Sequence, residues 1–450
     1  MPEYSGLLTD LYELTMAAGY FQTRFNARAI FELFIRNIPP QRNYLVAAGL
    51  EQALEYLEHV HFSAQDVAFL RQHPVLKQIE PGFFDYLLEF RFTGDIWAVP
   101  EGTVVFPGEP LMRVVAPIIE AQLMETYLLA TLSYQTMIAS KAARLITAAQ
   151  GRSVVDFGAR RGHGGPASLL SARAAVIGGC TGTSNVLAGQ MYGLATYGTQ
   201  AHSWVMAHED EAEAFRHFLD TFPNGAVLLV DTYNVHNAIQ KIIAIGQKPA
   251  GIRLDSGDLV KDSRWARREL DRVGWNDVQI FASGDLDEYK IARLLADGAA
   301  INAFGVGTAL STPGDAPHMN LIYKLVEVER DGKILEAAKF SHSKVTYPGR
   351  KQIFRYSNAS GEFREDKIAL EKESPNGGTP LLIQYMRGGQ RMAPKEPVEK
   401  LRERGMDNLA HLPKRYRQIE RKAKYPVRYS KQLESMLEKV RRRVSRAALK

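Results

Sequence analysis

Between residues 152 and 310 the chain repeatedly places a cluster of Gly, Ser, Thr, Asp, Arg or His directly after a short run of apolar or β-branched residues. The segments are SVVDFGARRGHGG, AVIGGCTGTSN, TYGTQAHSW, AVLLVDTYN, GIRLDSGD, VQIFASGDLD and INAFGVGTAL. Glycines recur beside hydroxyls: TGT at 181–183, SGD at 256–258 and again at 283–285 (Ser283, Gly284), and FGVGT at 304–308 (Gly305, Gly307, Thr308). Glycine lets backbone N–H groups converge on an anion, and Ser or Thr adds donors. One such turn is commonly only a turn; several on one rim point to a ligand with more than one phosphate. Neither GxxxxGK[ST] nor a GxGxxG turn with an acidic partner occurs, so the common nucleotide folds are not indicated.

Charged groups extend this set. Arg160 and Arg161 follow SVVDFG, while Arg253 lies inside the apolar run GIRLD, where a buried guanidinium needs a partner. That partner is either a neighbouring Asp or a planar carboxylate or phosphate held by the guanidinium fork. Asp231, Asp255, Asp258, Asp285 and Asp287 have no HxH or HExxH companion, which argues against a bound transition metal. Carboxylates beside phosphates suit Mg2+ that arrives with substrate and keeps some water, or they orient ribose hydroxyls; Asp255 is the candidate for either role. His202, in YGTQAHSW, is the sharpest single residue. Its readings are proton shuttle, phosphate partner, covalently modified nucleophile, or a histidine satisfied by structure. His163 and His208 compete with it, and no GxSxG elbow supports hydrolase chemistry.

Most of these segments are separated by room for a loop and a helix, the rhythm of consecutive β-α units. Such units build parallel strands, whose C-terminal ends all reach one face. Seven ends are visible, and ILEAAKFS at 334–341 offers an eighth. The expected fold class is therefore α/β, a barrel-like parallel array, with an open doubly wound sheet as its rival. A second α+β domain is expected from the two ends of the chain. The boundaries are 1–130 with 340–450, including a basic helical tail, against 131–339 for the barrel.

Outside the β-α region, LLTDLYELTMAAGY at 7–20 reads as a helix with Thr9 or Asp10 as its cap, carrying Tyr12, which is otherwise an ordinary core or surface aromatic. ARAIFELFIRNIPP reads as a strand, YLVAAGLEQALEYLEHV as a helix, and residues 83–118 as short strands between Gly and Pro turns. A long helix over 119–150 bridges the two parts, and TPLLIQYMRGGQR is a strand returning to the first domain.

Composition bounds the rest. An apolar fraction of 45% in 450 residues supports a sizeable core, and the single Cys180 excludes an internal disulfide or a Cys-rich zinc cluster. No long apolar stretch or signal-like start appears, so a cytoplasmic location without a membrane span is expected. The net charge of +6 is uneven: residues 391–450 hold 19 Lys and Arg against 7 Asp and Glu. The basic character belongs to a tail, most simply a solvated helix with Leu433, Met436, Leu437 and Val440 as its apolar stripe, and no nucleic-acid partner is expected.

Taken together and in order, LLTDLYELTM, EGTVVFPGEPLMRV, FGARRGHG, GTQAHSWVMA, RLDSGDL and FGVGT followed by YKLV resemble the nicotinate phosphoribosyltransferase family. The resemblance implies an ATP-assisted reaction. Nicotinate attacks C1 of 5-phosphoribosyl 1-diphosphate to give nicotinate mononucleotide and diphosphate, the first step of NAD salvage from nicotinate, with Mg2+ accompanying the phosphates. It also implies an irregular, incomplete α/β barrel joined to a domain formed from both termini, and a homodimer with shared sites. His202 resembles the histidine phosphorylated by ATP, and Tyr12 the aromatic covering the pyridine ring from the other subunit. Thr199 and Arg253 resemble nicotinate contacts, Arg160 a second substrate contact, and Thr308 a phosphoribosyl contact, with Gly284 and the Gly305 to Gly307 turn completing the cradle. Nicotinamide and quinolinate phosphoribosyltransferases are the enzymatic alternatives. A nonenzymatic nucleotide- or RNA-binding protein using the basic tail is the alternative from another class.

Overall fold

The computed structural model describes residues 4–341 and 345–448; the remaining residues of the 1–130 and 340–450 spans lie outside the described set. The β-α rhythm builds a six-stranded parallel sheet. Its order is Gly182–Thr183, Ser153–Asp156, Ala303–Val306, Gln279–Ala282, Gly251–Leu254, Val227–Leu229. Strands such as GIRL and AFGV bury nearly every residue because helices cover both faces of a parallel sheet.

Two of the seven expected segments are not strands as read. The residues AVI before Gly178 finish the helix Gly165–Ile177, leaving only Gly182–Thr183 as strand. The TYGTQAHSW segment contributes a single parallel bridge, Thr196 to Thr183, and then turns into the short helix His202–Met206. Among the described residues nothing closes Val227–Leu229 onto Thr196, so the barrel is open. The eighth candidate is also corrected: Lys333–Glu336 is an antiparallel edge strand on Asn320–Arg330, joined by a turn at Asp331 (φ 51) and Gly332 (φ 71). A turn this tight can only return the chain beside its own predecessor.

A seven-stranded antiparallel sheet forms the other half, ordered Lys333–Glu336, Asn320–Arg330, Arg28–Asn37, Pro110–Pro117, Asp95–Ala98, Ile383–Arg387, Gln390–Arg391. It joins early and late parts of the chain, since Ile383–Arg387 pairs with Asp95–Ala98 as the returning-strand reading expected. Asn320–Arg330, within the 131–339 span, also pairs here, on Arg28–Asn37. A smaller sheet, Thr379–Pro380, Lys351–Ser357, Phe363–Leu370 and Val427–Tyr429, packs alongside. Residues 81–88, read as part of a strand region, form the helix Pro81–Leu88: Pro at its first position fixes a helical φ, and Phe83, Phe84 and Leu87 bury one face. Likewise Leu45–Val46 is a short strand before the helix Leu50–His59.

The bridging helix is interrupted at Met124 into Ile118–Leu123 and Glu125–Ala149. Its longer part belongs to two cores. Leu128, Leu132 and Met137 pack with Leu33, Met112 and Val114 of the antiparallel sheet. Ile138, Ala142, Leu145 and Ala149, at helical spacing, pack with Val154 and Phe304 of the parallel sheet and with Val176 of the helix Gly165–Ile177. A third core fills the far side of the parallel sheet, where Leu228, Ile252 and Ile280 meet Phe215 and Ile239. No helix of the described residues is long and apolar enough to cross a membrane.

Candidate active site

The C-terminal ends of the parallel strands open into a cleft of about 530 Å³, lined among others by Arg160, Arg161, Thr199, Arg253, Asp255, Ser283, Gly284, Gly305, Gly307 and Thr308. Six separate stretches of chain thus meet because parallel strands deliver their ends to one edge.

Arg253 stands at the centre. It occupies the third position of the strand Gly251–Leu254 and points its fork along the cleft. Nη1 donates to Thr199 Oγ1 at 2.6 Å and Nη2 to Asp255 Oδ1 at 3.2 Å. Nε is buried without a hydrogen-bond partner. The pairing with a neighbouring Asp that the sequence offered for Arg253 is therefore present, and the guanidinium also borders the cleft.

Asp255 is the hub of a network. Its backbone N–H donates to Asp231 Oδ2 (3.1 Å), which also accepts from Ser256 Oγ (2.6 Å), and Ser283 Oγ donates to Asp255 Oδ1 in a short contact. The second oxygen, Oδ2, lies 3.9 Å from His202 Nε2. His202 opens its short helix, and its Nδ1 is 3.2 Å from Thr232 Oγ1, just after the strand Val227–Leu229. The imidazole is thus held between two strand ends while remaining 40% exposed.

The glycines have distinct reasons. Gly284 has φ +89, and a Cβ there would meet the Asp255 carbonyl oxygen. Gly305 lies under the stacked rings of Phe157 and Phe281, whose atoms a Cβ would approach to 2.6–2.8 Å. At Gly307 a Cβ would sit 3.1 Å from the Phe157 carbonyl oxygen, and the helix Thr308–Ser311 begins immediately after it. The FGARRG turn is shaped from below by Asp156, whose Oδ1 accepts from the Gly158 N–H (2.8 Å) and Oδ2 from Thr183 Oγ1 (2.7 Å). Burial pushes the Asp156 carboxyl up, and these two bonds oppose it. Arg160 and Arg161 are both exposed at the cleft mouth.

Tyr12 is not among the residues lining this cleft. It projects from the helix Leu11–Gln22, 45% exposed, beside the exposed Leu8, Leu11 and Met16. Asp10 occupies that helix's N-cap position but makes no side-chain cap bond; its carboxylate accepts from Thr126 Oγ1 instead. Phe157, Tyr197 and Gln200 line the cleft and escaped sequence reasoning, as did Thr232 as a partner of His202. For Thr232 a signal existed, in DTYN directly after a strand; for Gln200, buried with both side-chain polar atoms unpartnered, there was none.

Comparison with known proteins bears on this arrangement. The sequence matches the nicotinate phosphoribosyltransferase (NAPRTase) N-terminal domain over residues 7–133, the NAPRTase family over 152–365 and the C-terminal domain over 378–437. The chain belongs to the nicotinate phosphoribosyltransferase family. Among its relatives, the nicotinate phosphoribosyltransferase pncB2 of Mycobacterium tuberculosis is 43% identical over 97% of this chain and 94% of its own. The Bacillus subtilis nicotinate phosphoribosyltransferase is 42% identical over 82% of this chain and 77% of its own. Human nicotinic acid phosphoribosyltransferase superposes with a TM-score of 0.83 at 28% identity, covering 96% of this chain and 99% of that one. The family match spans both halves of the fold as well as the cleft between the strand ends.

Proposed function

We propose that the chain transfers a phosphoribosyl group from 5-phosphoribosyl 1-diphosphate to the ring nitrogen of nicotinate, giving nicotinate mononucleotide and diphosphate. The observation that carries this reading is Arg253: a guanidinium fork, steered by Thr199, borders a cleft that the glycine turns also line. The fork suits the pyridine carboxylate, and the Ser283–Gly284 and Gly305–Thr308 turns suit the phosphates. As the C1 to diphosphate bond breaks, positive charge grows on the ribose and negative charge on the departing oxygens. Arg160 and Arg161 at the mouth stabilise the latter, and the cleft holds the ring nitrogen close to C1. Asp255 orients the ribose hydroxyls. Magnesium brought in with the diphosphate finds oxygen donors on Asp255 and Asp285 and neutralises phosphate charge; the described residues contain no group of three or more His, Cys, Asp or Glu that would hold a resident ion.

In this reading ATP transfers its γ-phosphoryl group to His202, releasing ADP, and water later cleaves the phosphohistidine to phosphate. Support comes from the exposed imidazole at the cleft edge, fixed by Thr232 and close to Asp255. A second copy of the chain supplies Tyr12 over the pyridine, which accounts for an aromatic exposed among Leu8, Leu11 and Met16 and absent from the cleft of its own chain. The test is product analysis with nicotinate, nicotinamide or quinolinate, each with and without ATP. ATP-stimulated formation of nicotinate mononucleotide is expected; a preference for either other pyridine overturns the assignment.

A further inference from the structure

Behind the glycine turns lies a group of charges that the reaction does not use. Arg42 and Glu288 are fully buried, Lys141 and Arg144 are nearly so, and Asp315 keeps 21% of its side chain exposed. Lys141 Nζ lies 2.5 Å from Glu288 Oε2 and 3.0 Å from Asp315 Oδ1. Arg42 Nη1 spans the same two carboxylates, at 3.7 Å and 2.7 Å. Arg144 Nε donates to Glu288 Oε1 at 2.8 Å, and its Nη2 reaches Tyr289 Oη and the Ile419 carbonyl. Well-packed apolar side chains generally stabilise a core as well as such a group does, so stability alone is a weak account of it.

Its connectivity is more informative. Glu288 is the first residue of the helix Glu288–Ala296, directly after the turn that carries Ser283, Gly284 and Asp285. Asp287 caps that helix by accepting from the Lys290 N–H, and Lys290 Nζ donates back to the Asp285 carbonyl at 2.6 Å. Asp315 follows the helix Thr308–Ser311, which the Gly305–Gly307 turn leads into. Each phosphate-facing turn is therefore tethered by one carboxylate to the same two cations, Lys141 on the long helix and Arg42 from the antiparallel half. Burial raises both carboxyls, but Lys141 and Arg144 hold Glu288, and Arg42 and Lys141 hold Asp315, below the usual carboxylate range.

We propose that Arg42, Lys141, Arg144, Glu288 and Asp315 are positioning residues that set the spacing between the 283–285 and 305–308 turns, and through it the affinity for phosphoribosyl diphosphate. This rests on the reading that those turns hold that substrate. The test uses Asp315→Asn and, as a second variant should the first fail to fold, Lys141→Met. Steady-state kinetics with each substrate varied are combined with calorimetric binding of 5-phosphoribosyl 1-diphosphate and a melting curve. A misplacement of under an ångström should raise KM and Kd for the diphosphate about tenfold while KM for nicotinate stays within about twofold. Asp315→Glu should recover most of the loss. A lower Tm with both KM values unchanged, or an equal rise in both, overturns the proposal. Wild-type protein that binds no phosphoribosyl diphosphate removes the functional reading beneath it, a result distinguishable because it precedes any variant.

Discussion

Gly284 rests so closely on Asp255 that a Cβ at position 284 would lie 1.8 Å from the Asp255 carbonyl oxygen. The two residues end neighbouring parallel strands, so the turn carrying Gly284 is seated on the backbone of Asp255. Gly284→Ala must move one of them and also place an alanine at φ +89. The expected result is a loss of about 100-fold in kcat/KM for phosphoribosyl diphosphate, with a destabilisation of about 2–4 kcal/mol, read by kinetics and denaturant melting.

Arg253→Lys keeps the charge but loses the fork that Thr199 steers at 2.6 Å. Loss of a charge-assisted, bidentate contact of about 2 kcal/mol raises KM for nicotinate roughly 30-fold. The discrimination between nicotinate and nicotinamide should fall by a similar factor, since only the acid offers the fork a full charge. Competition kinetics with the two pyridines measure this directly.

His202→Ala should abolish ATP stimulation together with any acid-labile phosphate found by mass spectrometry after incubation with ATP, leaving slow ATP-independent transfer. Thr232→Val, which removes the hydroxyl beside Nδ1, should reduce the rate of labelling without abolishing it. Labelling unchanged in His202→Ala would place the phosphorylation elsewhere or nowhere.

Glu13 provides a pH test of the helix that carries Tyr12. Burial raises its carboxyl to about 7, against the opposing bonds from Thr126 and Thr9. Because the folded value lies above the ordinary 4.5, the stability linked to the protonated form is complete below about pH 4.5 and is lost as pH rises through about 7. Native-state hydrogen exchange of Leu11–Gln22 should speed up across that window, by at most on the order of 3 kcal/mol in opening free energy. Glu13→Gln should flatten the dependence. Exchange that is independent of pH after correction for the intrinsic rate would contradict it.

The legible part of this molecule was its periodic part. GIRLD, VQIFASGD and INAFGVGT are strands ending in turns because a buried parallel strand must be apolar throughout and its ligand-facing end cannot be, and that contrast is visible residue by residue. For the same reason Arg253, Asp255 and Thr308 were found to share one cleft. What failed were short apolar runs without a decisive period. The residues AVI at 175–177 and FFDYLL at 83–88 are equally apolar in helix or strand, and long-range packing decided for helix. ILEAAKFS lies just beyond a tight DG turn, so Lys333–Glu336 folds back on Asn320–Arg330 instead of starting another β-α unit. DTYN after a strand marked Thr232 as a strand-end group but not as the partner of His202, and the Lys141 network follows no local pattern, since each contact joins residues far apart in the chain.

The helix Glu125–Ala149 cannot be assigned to either half without leaving the other with an open seam, because one stretch of it completes the antiparallel core and the next completes the parallel one. The two halves should consequently melt in a single cooperative step despite their different architectures. Cutting the chain near residue 150 should yield two insoluble fragments, and co-expressing those pieces should restore a folded particle.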